Sequence, residues 1–147
     1  MDINDGKSEF NSWFIPPGVG EFCAGYLATG ERLWRAAARR DRVADGWAYS
    51  TVKCAETDCL KFCSANNADI QVFGAVTGRD DGFAGQNFWL SRNWFPVNFV
   101  THGAGPIGRR LHKSAQAFGP CMLNLHRGWL RIETLHRGWL YTNIAEG

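Results

Sequence analysis

Residues 125–140 read LHRGWLRIETLHRGWL, and the hexamer LHRGWL stands in this stretch twice, ten residues apart. As a helix the two copies fall about 80° apart around the axis and share no face. Gly128 and Gly138 would also weaken that helix. As strands they keep register, because ten is even and the strand period is two. The reading is therefore a hairpin. One strand covers 129–133, with Leu130 and Ile132 on one side and Trp129, Arg131 and Glu133 on the other. Residues 134–137 turn the chain, and 139–144 form the returning strand. A lone hairpin is marginal in water, so the preceding stretch VNFVTHGAGPIGRRLHKSAQAFGPCMLNL is expected to add two or three short strands.

The totals agree with small, aromatic-rich architecture. The chain has 147 residues, 45% of them apolar, with seven Trp, ten Phe and seventeen Gly. That length makes one ordinary domain or two very small ones. Large rings build small β cores, and glycines build tight turns. The net charge is +2. Residues 96–147 carry six basic and two acidic side chains, against ten and twelve in 1–95. The basic C-terminal third is read as a solvated surface. No apolar run is long enough to span a membrane. The start, MDINDGKSEF, has no basic segment followed by an apolar one, so a secretory signal is not expected and the default location is cytoplasmic. Five Cys is an odd count, read as reduced thiols.

Along the rest of the chain few motifs carry chemistry. DINDGKSEF has an EF-hand-like start but lacks the spacing and the Glu that close a calcium loop, so it reads as a polar terminus. Residues 29–45, TGERLWRAAARRDRVAD, are the best helix candidate. Arg32, Arg35, Arg39 and Arg42 would line one side of it, a stripe diluted by Glu31, Asp41 and Asp45. Nucleic-acid binding is therefore not expected. Cys54, Cys59 and Cys63 form the alternative metal set, but with only three ligands at spacings of five and four positions, buried thiols are favoured. Asp58-Cys59 is weighed as a nucleophile position, yet no His precedes His102 and the residues after Cys59 do not fit. Residues 70–100 alternate short apolar runs with turn residues and read as strands, with Asp80, Asp81 and Gly82 in a turn.

The tail, read in order, resembles a bacterial SH3-like domain over about 96–147. The resemblance rests on VNFVTHGAGP with Gly105 and Pro106, IGRRLHKS with Ile107, Gly108, Leu111 and Lys113, then GWLRIE and RGWLYTNI. The loop after Pro106 is short, Ser114 stands where a turn Gly is usual, and TLHR lacks the Asp-Gly of the family's turn. GERLWRAAARRDRVADGWAYSTV reads as a divergent second copy over about 18–53, a reading that competes with the helix. The fold expected is mainly β: a small SH3-like barrel at the C-terminus after an α+β or β-rich region with one helix at about 29–45.

What the resemblance implies is a non-enzymatic module that grips a peptide or cell-wall component in an aromatic groove. The groove residues would be Trp129, Trp139 and Tyr141, with His126, Arg127 and Asn143 as polar contacts. No cofactor is expected, and the His residues read as surface turn residues. Two alternatives stay open. Gly103, Gly105 and Gly108 fit the dinucleotide pattern G-x-G-x-x-G, which with Arg127 would suit NAD(P), or Cys59 would serve an enzyme. The other is a structural or interaction protein of a larger assembly, its aromatic surface a protein interface.

Overall fold

The computed structural model describes residues 18–37 and 44–134, and most of these lie in helices. The order is α1 (Glu21–Ala37), β1 (Gly46–Trp47), α2 (Tyr49–Thr77), α3 (Asp81–Arg92), a 3-10 turn (Phe99–His102), α4 (Pro106–Gln116), β2 (Cys121–His126) and β3 (Trp129–Thr134). The one sheet among the described residues is open, ordered β1-β3-β2. β1 runs parallel to β3 and β2 antiparallel to it. The expectation of a mainly β chain ending in an SH3-like barrel is thus overturned: the fold is mainly helical and the sheet does not close.

The reason lies in signals that serve both strands and helices. Gly105 and Pro106, expected in a barrel loop, are the N-cap and first residue of α4, a position that suits proline because its missing N–H is not needed there. Gly108, Leu111 and Ala115 are then buried at helical spacing. The supposed strand before them is the 3-10 turn, where Asn98 and Thr101 cap each other reciprocally. In 70–100, the buried Ile70 and Phe73 belong to α2. Asp80, Asp81 and Gly82 do not form a turn between strands: Asp80 is the N-cap of α3, and Asp81 and Gly82 begin the helix. The Asp80 carboxylate accepts from the Phe83 N–H and starts α3. Short apolar runs between turn residues do not by themselves separate strand from helix.

The second barrel copy at 18–53 is overturned as well, since most of the described residues in that range belong to α1 and the start of α2. The helix expected over 29–45 begins instead at Glu21 and is described as far as Ala37. Residues 38–43 lie outside the described residues. β3 does fall on 129–133, with Leu130 buried and Trp129, Arg131 and Glu133 exposed. Among the described residues its hairpin partner is the strand before it, β2. The turn is Arg127-Gly128, with φ of 51° and 87°, the backbone that a two-residue hairpin turn requires. The returning strand at 139–144 lies outside the described residues.

The core is a stack of aromatics brought in by every helix but α4. Phe62 of α2 lies 4.2 Å from Phe88 of α3, and Phe88 lies 5.0 Å from Tyr26 of α1. Phe99 and Phe73 extend the stack. α2 kinks at Asn66, whose amide donates to the Phe62 carbonyl and to Ser114 Oγ of α4, 2.9 and 2.8 Å away. A side chain that bonds back to the preceding turn is a recognised cause of such a bend.

α1 and α3 cross at backbone contact. A Cβ on Gly25 would strike the Gly82 carbonyl, and one on Gly85 would strike the carbonyl of Phe22. Because backbone is struck, the helices must separate. Gly85→Ala should therefore cost at least the ~1–3 kcal/mol typical of overpacking. Gly20→Ala, with nothing within 4 Å of the added carbon, should leave stability unchanged. Urea denaturation of both variants checks this; equal midpoints would contradict the crossing.

Candidate functional site

Among the described residues one side of β3 is half covered. β1 pairs with only two of its residues, Trp129 and Leu130, because the chain then turns into α2 at Tyr49. Beyond Leu130 that edge of β3 faces a cleft of about 280 Å³ lined by Tyr26, Ser50, Thr51, Cys54, Ala55, Asp58, Arg131, Ile132 and Glu133. Five of these come from the first turns of α2, three from β3, and Tyr26 from α1.

The hydrogen-bond alternation of the hairpin fixes which backbone groups face the cleft. Gly128 and Leu130 point their carbonyls away from β2, where they accept from the N–H groups of Asp45 and Ala48. Residues two apart in a strand point their backbone groups the same way. Ile132 therefore turns both N–H and C=O away from β2 and towards the cleft. They have no partner there among the described residues. Arg131 and Glu133 point theirs at Asn124 and Met122 of β2, their register partners.

Asp58 stands on the α2 wall, its side chain 32% exposed. Its Oδ2 accepts from Arg92, 2.8 Å away. Arg92 is 2% exposed and donates also to Tyr26 Oη at 3.0 Å, to the Gly119 carbonyl at 2.6 Å and to the Phe118 carbonyl at 3.3 Å. One guanidinium thus ties α1, α2 and the loop before β2 to the end of α3. Burial, foremost, pushes the Tyr26 phenol well above its ordinary range, so it stays neutral and accepts from Arg92.

The structure places the sequence candidates as follows. Trp129 is 46% exposed on the outer face of β3, its ring edge against Gly46 of β1. His126 pairs with it across the hairpin and Arg127 sits in the turn. Trp139, Tyr141 and Asn143, the other members of the expected groove, lie outside the described residues.

Gly103 ends the 3-10 turn and Gly105 caps α4, while Gly108 packs within α4 against the Phe99 carbonyl. No strand leads into that helix, so these glycines do not form the strand-turn-helix unit that a dinucleotide needs. Cys54 is exposed in the cleft, Cys59 is buried and Cys63 half-buried. Among the described residues no three His, Cys, Asp or Glu side chains converge on a metal. Burial, first, and the neighbouring Cys23 push the Cys59 thiol well up, and burial pushes Cys63 up to about 11. Such thiols are poor nucleophiles.

Two histidines have structural partners rather than the turn positions expected of them. His102 Nε2 donates to Asn87 Oδ1 at 3.0 Å, and His112 Nδ1 lies 3.0 Å from Ser91 Oγ. Burial lowers the pKa of both, helped at His102 by the charge of Arg79. Arg35 of the expected basic stripe pairs with Glu31 at 3.2 Å. No helix among the described residues is long and apolar enough to cross a membrane.

Asp58 enters the sequence reading only as the neighbour of Cys59. Arg131 and Ile132 enter it only as strand residues, and Ser50, Thr51 and Arg92 not at all. No local signal marks them, since the cleft exists only once β3 docks beside α2.

No family model, curated protein or solved structure matches this chain.

Arg92→Lys keeps the charge but loses the fork that reaches three elements at once. It should cost at least ~2 kcal/mol, approaching the ~3–5 kcal/mol of a broken buried pair. Arg110→Lys, at the exposed Asp69 pair, should cost under ~1 kcal/mol. Urea denaturation compares the two. Equal losses would contradict the anchoring role of Arg92.

Proposed function

We propose that this chain is a non-catalytic binding module that takes an extended segment of a partner protein at the open edge of β3. The observation that carries the reading is the backbone of Ile132, whose N–H and C=O face a cleft without a partner among the described residues. An unpaired strand edge is a template for another strand. Backbone pairing supplies affinity there, and side-chain pockets supply selectivity. The exposed Trp129 ring, two positions before Arg131 on the same strand, offers a rigid contact surface beside the cleft.

The cell-wall target expected from the SH3-like resemblance has lost its support with the barrel, and a protein segment takes its place. The NAD(P) and Cys59 readings gain nothing from the glycines of α4 or from buried thiols with raised pKa.

A library of random short peptides, panned on the full chain, tests the proposal. Recovered peptides should bind Ile132→Pro about tenfold more weakly, the loss of one hydrogen bond. Ile132 donates nothing to β2, so proline at this edge position leaves the hairpin ladder intact. Ser50→Trp, which fills the cleft from an exposed site, should also abolish binding. Recovery of no peptide, or equal binding to both folded variants, overturns the proposal.

A further inference from the structure

We infer that the cleft selects a segment with a lysine or arginine opposite Ile132, its cationic end against Asp58. The inference rests on the strand-addition reading above and adds the chemistry of the ligand. In strand pairing, parallel or antiparallel, directly opposed residues point to the same face. Ile132 points inward, partly buried against the core. A partner residue opposite it therefore points inward too, over Thr51, Cys54, Ala55 and Asp58.

The only charged group among those cleft-lining residues of α2 is the Asp58 carboxylate. Arg92 takes Oδ2 from behind, and the side chain is still 32% exposed. A buried guanidinium on one side holds the carboxylate in place, so the second oxygen is presented without a further loss of side-chain freedom. Arg131 and Glu133 also border the cleft, but strand alternation turns their side chains to the face of β3 opposite Ile132, where they are exposed. They stand beside the flanking residues of the incoming segment and not beside the inward one. A long basic side chain fits this geometry: its stem covers Ala55 and Ile132 while its charge meets Asp58. An acidic side chain would meet Asp58 at like charge, and an apolar one would desolvate its second oxygen while offering it no donor.

The same library separates the two claims. Peptides that bind the full chain should share one Lys or Arg position, and its replacement by Met should weaken binding at least tenfold. Asp58→Asn should weaken them similarly. Because Asp58→Asn also touches Arg92, Cys54→Lys is the second variant. It sets a cation one helical turn from Asp58, at an exposed position, and should compete with the basic peptide to a comparable loss. Peptides that need the Ile132 N–H but show no basic preference, or that bind Cys54→Lys as well as the original chain, overturn this inference and leave the strand-addition reading standing. If no peptide is recovered, or if binding ignores Ile132→Pro, both fall.

Discussion

The buried guanidinium of Arg92 is the contact on which the arrangement of this chain depends. A charge withdrawn from water to 2% exposure is tolerable only where its N–H groups find acceptors. Here the acceptors are a phenol from α1, a carboxylate from α2 and two carbonyls from the loop between α4 and β2. None of these is near Arg92 in sequence. The aromatic stack drives the helices together without specifying how they meet. Arg92 adds direction, because its fork is satisfied in one arrangement. The glycine crossing of α1 and α3 then sets how near that arrangement can come. Asn93, next along the chain, accepts from the Cys121 N–H through its side-chain oxygen at 2.8 Å, so the first residue of β2 is fixed from the same point.

The cleft follows from this geometry. With β2 held at Cys121, the hairpin stands where β3 can take only a two-residue β1 before α2 begins. Among the described residues, the abrupt turn from β1 into α2 is what leaves Ile132 facing the cleft. The same ion pair that orders the core sets Asp58 on the cleft wall, so fold and site share one interaction.

How much of this the sequence carried can be judged element by element. The even spacing of the LHRGWL copies correctly made 129–133 a strand and sorted its faces. It paired that strand with 139–144, which lies outside the described residues, and missed the turn at Arg127-Gly128, because a Gly at 128 fits a strand entrance and a hairpin turn equally well. Helices α3 and α4 were misread as strands and turns since their start signals, Asp80 and Gly105-Pro106, are also turn signals. The interior of α2 was misread because Gly74 and the short run around it suit either period. The site was less legible still. Asp58, Arg92 and Ile132 are distant in sequence and ordinary in their neighbourhoods, and only packing brings them together. The period-two pattern puts Trp129 on the face opposite Leu130, and the structure shows that face to be the outer one.

Amide hydrogen exchange along β3 in the full, unliganded chain is the most direct measurement of the central claim. The N–H groups of Arg131 and Glu133 pair with β2 and should be protected, whereas Ile132 between them should exchange quickly. Protection of all three would mean that the edge is already occupied in the free protein, and the account of an open strand edge would be contradicted.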